Sequence, residues 1–205
     1  MYVPAKFQRS EEAAWEIVRD AGAGLLVIAG VDGFASVLAP VVISDDRRTL
    51  TSHVARANPW WTLAQSTSEV LALFLAASAY VSPTNYPSRL DDPGVVPTWN
   101  YEMVEVHGEV IVHDDAQWTG AQVRRATENF ERDRDPQWHV DDAPADFVAK
   151  QLRAIVGIEI AVRSIEGKSK LSQNRPVIDH DAVRDALATG TFAQRNVAQR
   201  MSGDE

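Results

Sequence analysis

Four polar segments carry side chains that folding alone does not require. The first is His53-Val54-Ala55-Arg56-Ala57-Asn58-Pro59. It runs off an apolar strand pattern into a capped helix start, and a helix N-terminus beside an arginine suits a phosphate. The competing reading is a helix cap and a surface arginine. The second, Tyr80-Val81-Ser82-Pro83-Thr84-Asn85-Tyr86-Pro87-Ser88-Arg89, offers rings, hydroxyls and a guanidinium to a planar anion, or is simply a turn rich in Ser and Pro. The third, Val96-Pro97-Thr98-Trp99-Asn100-Tyr101, could give a flat heterocycle a stacking surface and amide hydrogen bonds, or could place Trp99 and Tyr101 in a sheet core. The fourth, Gly167-Lys168-Ser169-Lys170-Leu171-Ser172-Gln173-Asn174-Arg175-Pro176, groups cations, hydroxyls and amides that can bind a phosphate or nucleic acid, or forms a solvated basic loop.

Other chemistry lacks its residues. There is no Gly-x-Gly-x-x-Gly, and Gly167-Lys168-Ser169 fails as a P-loop because Val162 stands where the leading glycine belongs. Among the five histidines no pair has helical metal spacing, so no metal site is expected. No Gly-x-Ser-x-Gly elbow supports an acyl-transfer hydrolase.

The elements that position these segments are readable in outline. Ser10 with Glu11 and Glu12 starts a helix over about 11–21. Apolar runs at 25–29 and 34–38 flank Asp32-Gly33, a hairpin signal, and runs at 41–44 and 49–54 flank a second turn. Asn58-Pro59 opens a short helix. A strand is expected at 69–75, with 79–81 ending it or beginning the next element, and a long loop over 82–97. Residues 98–112 alternate strictly, with Val104, Val106, Val110 and Val112 on one face. Helices are expected from Asp114-Asp115 to about 132 and from Asp142-Ala143-Pro144 to about 155. A last strand follows at 158–162, then a polar basic stretch over 164–176 and a short helix near 180–188. After Gly190 no pattern stands out, so residues 1–190 are expected to form one domain and 191–205 a mobile tail. Consecutive strands joined by short turns predict a mainly β, α+β protein with an antiparallel sheet curled into a barrel.

Bulk composition agrees. The chain has 205 residues, 45% of them hydrophobic, and no cysteine, which excludes disulfides and thiolate zinc sites. No signal peptide is seen, and apolar stretches such as 70–77 are too short to span a membrane, so a cytoplasmic protein is expected. A net charge of −9 weighs against nucleic acid unless a local basic patch compensates.

Taken in order, Met1-Tyr2-Val3-Pro4 with Phe7, the 53–59 segment, Tyr80 to Pro83, Pro97 to Tyr101, Ala154 to Ile160 and Lys170 to Arg175 resemble the PaiB family of FMN-binding transcriptional regulators. The resemblance spans about residues 1–180. It implies an antiparallel split β-barrel of the pyridoxamine-phosphate-oxidase type and a homodimer holding FMN in a groove built by both subunits. By matching position it implies that His53, Val54, Arg56 and Asn58 lie near the flavin or its phosphate. Thr98, Trp99 and Asn100 would lie near the ring, with Lys170, Ser172, Asn174 and Arg175 closing the site. Two departures remove stacking surface: Asn85 and Ser169 stand where the family carries aromatics.

Three functions follow. The resemblance implies a flavin-binding regulator or sensor, with DNA as a partner through Lys168, Lys170 and Arg175. The fold relatives imply an FMN-dependent oxidoreductase acting on a small molecule, with His53, His107 and Tyr101 as the available proton donors. Asn85 and Ser169 leave open a dimeric module that no longer binds flavin.

Overall fold

Helix α1 (Glu11–Ala21) begins as its sequence dictates. The Ser10 hydroxyl accepts from the Ala13 amide at 3.2 Å, and Glu11 and Glu12 fill the first turn, where the helix dipole favours negative charge. In this computed structural model, which describes residues 1–31 and 33–203, the chain divides into two compact units. Unit one comprises residues 1–20, 74–104 and the described part of 166–205; unit two comprises 21–73 and 105–165.

Unit two holds the hairpin of β1 (Ala23–Gly30) and β2 (Gly33–Pro40), paired antiparallel from Ala23 opposite Pro40 to Gly30 opposite Gly33. Residue 32 of the expected Asp32-Gly33 turn lies outside the described residues; Gly33 has a φ of 117°, which a side chain would oppose. Next come β3 (Val42–Ile43), β4 (Thr49–Ala55) and the short helix α2 (Trp60–Ala64). Helices α3 (Ala116–Glu131) and α4 (Ala145–Arg153) complete it. The Asp115 carboxylate caps α3 by accepting from the Trp118 amide at 2.6 Å. The expected Asp142 cap of α4 is not formed; that carboxylate accepts from the His139 amide, closing the turn before the helix.

Three long strands, β5 (Glu69–Val81), β6 (Thr98–His113) and β7 (Ile155–Lys170), carry residues of both units. The seven strands hydrogen-bond in the order β2-β1-β5-β6-β7-β4-β3. β4 pairs antiparallel with β7, setting Leu50 opposite Ile160 and Val54 opposite Val156, all buried. Inward apolar residues at every second position drive this packing.

Two strands outrun their sequence signals. β5 is unbroken through the small residues 76–79, and β7 continues beyond the expected 158–162 into the polar basic stretch as far as Lys170. In unit one the inward positions of β7 are Gly167 and Ser169, both buried, while Lys168 and Lys170 alternate with them. Small inward residues hide the period. They are needed there because α1 lies close: a Cβ on Gly167 would come within 2.8 Å of the Ala14 Cβ.

Unit one is completed by α5 (Val177–Ala188) and α6 (Phe192–Met201). Helix α6 replaces the patternless tail expected after Gly190. A capping box starts it: the Thr191 hydroxyl accepts from the Gln194 amide and the Gln194 side chain accepts from the Thr191 amide. Val197, Ala198 and Met201 are buried in one core with Ala77, Ala79, Val81, Tyr86, Leu171, Val183 and Leu187. Asp179, in the first turn of α5, accepts from both the amide and the hydroxyl of Ser88, at 3.0 and 2.6 Å, which clasps the loop at 83–90. Among the described residues no helix is long and apolar enough to cross a membrane.

Candidate functional site

The expected site residues divide between the units: His53, Val54, Arg56 and Asn58 belong to unit two, and the other seven to unit one. In unit two, Val54 is buried core. His53 Nδ1 donates to the Gln122 amide oxygen at 2.9 Å. Asn58 Oδ1 accepts from the Trp60 amide at 3.0 Å and so fixes the entry to α2. Arg56 is fully engaged. Its guanidinium grips Asp114 bidentately at 2.5 and 3.0 Å, and Nε donates to the Arg153 carbonyl at 2.9 Å. The hydrogen bonds from Arg56 hold the Asp114 carboxyl below its usual range, and Asp114 in turn raises the arginine. This side chain is already neutralised. A phosphate here would have to displace Asp114.

Unit one is different. Along β6 the side chains alternate, so Trp99 and Tyr101 share one side while Asn100 and Glu102 share the other. Asn100 is fully buried; its amide donates to Ser172 Oγ at 2.9 Å. Asn100 and Ser172 therefore fix the backbone rather than offer atoms to a ligand. Ser172 adopts a φ of 67°, and Gln173 bonds both the Leu171 amide and the Ser169 carbonyl. The resulting tight turn projects Asn174 and Arg175.

Lys170 donates to the Thr98 hydroxyl and to the Trp99 carbonyl, the latter at 2.7 Å. Lys168 sits 5.3 Å from the Tyr101 ring centre and donates to the Tyr2 carbonyl at 3.1 Å. The Arg175 guanidinium lies 4.5 Å from the Tyr86 ring centre. Trp99, 50% exposed, is anchored by its indole N–H to Ser78 Oγ at 2.5 Å and meets Tyr80 edge-on at 6.1 Å. Ser78, Gln122 and Asp114 are the partners that sequence reasoning missed; each pairs across a long sequence separation, which no local pattern reports.

Whether a flavin phosphate fits these residues is decided by the charge balance. Burial, then the charges of Arg175 and Lys168, push the Lys170 ammonium below its ordinary range. Among the described residues these three cations contact hydroxyl, carbonyl and ring groups and no carboxylate. A dianion supplies the missing charge, and the exposed Trp99 face supplies stacking area for a flat ring. The group fits. Among the described residues no cluster of three or more His, Asp or Glu could hold a metal ion.

Comparison with known proteins agrees with this chemistry. Residues 1–164 match the family described as "Putative FMN-binding domain". The chain is 30% identical over 190 residues to the Bacillus subtilis protein named protease synthase and sporulation protein PAI 2, covering 91% of this chain and 89% of that one. An uncharacterized Aspergillus fumigatus protein is 30% identical over 167 residues, covering 66% of this chain and 64% of that one. Among solved structures, an FAD- and heme-binding protein from Mycobacterium smegmatis has a TM-score of 0.60 at 15% identity, over 90% of this chain and 80% of that one. The flavocytochrome Anf3 from Azotobacter vinelandii has a TM-score of 0.59 at 9% identity, over 80% of this chain and 69% of that one. At such identities these structures speak for the fold, an α+β antiparallel split barrel. With the family match over residues 1–164 and the Bacillus relative aligned along nearly its whole length, this chain belongs to the PaiB type of FMN-binding domain, a split-barrel family whose cofactor is FMN.

Proposed function

We propose that this chain is a homodimeric flavin-dependent sensor or transcriptional regulator, with Lys168, Lys170 and Arg175 taking the FMN phosphate and Trp99 the ring. The observation that carries this reading is the set of three cations that contact no carboxylate among the described residues, beside an exposed tryptophan in unit one. When bound, FMN supplies reversible acceptance of one or two electrons. The residues here bind and orient: Lys170 is preset by Thr98 and the Trp99 carbonyl, and the Asn100–Ser172 pair fixes the turn that carries Arg175.

The dimer reading is supported by an apolar face in unit two. Phe34 is 84% and Leu38 70% exposed on edge strand β2, and Leu38 pairs with the exposed Leu25 of β1. Exposed apolar faces of this kind mark association surfaces. The regulator reading draws on the resemblance to the PaiB family of transcriptional regulators, to whose Bacillus subtilis relative this chain is 30% identical. Lys168, Lys170 and Arg175 would serve DNA and the FMN phosphate alike, so the two ligands compete.

The test is a DNA retardation assay on the flavin-free and FMN-loaded protein, with an absorbance spectrum and a solution mass. A retarded band that weakens on adding FMN, from a dimer with a bound-flavin spectrum, is expected. A dimeric flavoprotein that retains no DNA even at low salt refutes the regulator reading. A second reading, an FMN-dependent oxidoreductase, is favoured by a cavity of ≈ 510 Å³ in unit two, lined by Val27, Phe34, Leu71, His107 and Arg163. Anaerobic reduction of the bound flavin by a nicotinamide, followed by turnover of an acceptor, decides for it.

A further inference from the structure

Glu102 projects to the side of β6 away from Trp99 and Tyr101, and its side chain is only 3% exposed. Oε1 accepts from Ser169 Oγ at 2.6 Å. Oε2 has no hydrogen-bond partner. Two arginines flank the carboxylate without bonding it well: Arg200 Nε is 3.4 Å from Oε2, and Arg9 Nη2 is 3.6 Å from Oε1. Each is also held elsewhere, Arg9 Nε by Ser169 Oγ at 2.7 Å and Arg200 Nη2 by Asp20 at 2.7 Å. A buried acceptor lacking a donor is rare and points to a missing partner.

Glu102 is also part of the lining of a solvent-open cavity of ≈ 540 Å³ within unit one, bordered by α1 and α6. The charged groups of that lining are Arg9, Arg19 and Arg200 against Glu16, Asp20 and Glu102, so their formal charges cancel. A lone cation meets the arginines and a lone anion meets the carboxylates; either gains from one half of the wall and loses to the other. A molecule carrying both charges a few bonds apart is matched by both halves. The volume lies in the ordinary range of small-molecule sites.

We propose that this cavity binds a small zwitterion of the α-amino-acid class, its ammonium donating to Glu102 Oε2 and its carboxylate lying against Arg9 and Arg200. The site is separate from the flavin residues and stands whether or not the regulator reading does. The rest of the cavity holds the ligand's side chain, against Ala13 and Ile17 of α1.

The test is titration calorimetry on the FMN-loaded full chain with glycine, L-leucine and L-glutamine as zwitterions, and propionate and ethylamine as their half-charged controls. Saturable binding of at least one zwitterion is expected, with both controls at least about tenfold weaker. Glu102→Gln, nearly isosteric, weakens that zwitterion at least about tenfold and leaves the flavin spectrum unchanged. Ala13→Leu puts three more carbon atoms into the α1 side of the cavity, where the ligand's side chain lies, without touching its charged groups, and weakens binding at least about tenfold; it carries the test if Glu102→Gln does not fold. The proposal is overturned if no zwitterion binds at millimolar concentration, if the controls bind as well, or if Ala13→Leu leaves binding intact.

Discussion

Replacing Lys170 by methionine separates the proposed cofactor role of this residue from its structural one. The stem is kept; the charge and its hydrogen bonds are lost. A charge-assisted hydrogen bond to a phosphate contributes about 1.5–3 kcal/mol, so FMN is expected to bind roughly 10- to 150-fold more weakly. The flavin-free protein is expected to change much less. Losing the donor to Thr98 and the Trp99 carbonyl destabilises it, but losing a half-buried cation beside Arg175 and Lys168 offsets that. The assay is a flavin fluorescence titration paired with urea unfolding of the flavin-free protein. Dissociation constants equal within about twofold would refute the phosphate assignment, and so would a loss of affinity mirrored by an equal loss of stability. The pH dependence carries a second signature. The folded-state pKa of Lys170 lies below its ordinary 10.5, so as pH rises through that window the folded protein sheds the proton first. Stability of the flavin-free protein therefore gains over the window, because the unfolded chain binds more protons. FMN affinity moves oppositely, since the phosphate favours the charged ammonium. Lys170→Met removes both slopes.

Phe34→Asp places a carboxylate on the apolar face of β2 and is expected to weaken the proposed dimer by at least about 1.4 kcal/mol, or tenfold, read as mass by light scattering. Gly157→Ala drives a methyl into the Trp118 ring, which stacks on His113 at 4.0 Å; about 1–3 kcal/mol of stability and part of the near-ultraviolet dichroism are expected to go. Thr191→Ala removes the α6 cap and is expected to cost about 1 kcal/mol in urea unfolding. The lowered Asp114 carboxyl contributes stability that is present above the ordinary 3.8 and is lost as pH falls through its folded value; Asp114→Asn is expected to flatten that acid limb of a melting-temperature profile.

The elements with local signals were legible. Ser10 announces α1, Asp115 announces α3, and the valines of β6 announce a half-buried strand. What escaped were elements whose inward residues are not apolar. β7 was cut short because Gly167 and Ser169 face in, and small residues carry no hydrophobic period. The start of α6 was written in Thr191 and Gln194, but an exposed Phe192 and a polar run masked its buried stripe of Val197, Ala198 and Met201. At the site, the residue types were legible and their availability was not. Arg56 reads as a phosphate ligand until Asp114, 58 positions on, is seen to neutralise it. Asn100 reads as a ring contact until Ser172, 72 positions on, is seen to hold it inside.

The clasp of Asp179 on Ser88 makes the loop at 83–90 a passenger of helix α5. Its central amide reaches solvent only when the first turn of that helix lets go, so in a deuterium-exchange experiment Ser88 reports the opening of α5 rather than that of a free loop. A few residues later the chain is exposed to a protease. The exposed run Asp91, Asp92, Pro93 and Gly94 is where limited digestion would nick the chain first, leaving two fragments still held by the β4–β7 pairing, by the shared core and by the Asp179 clasp on Ser88.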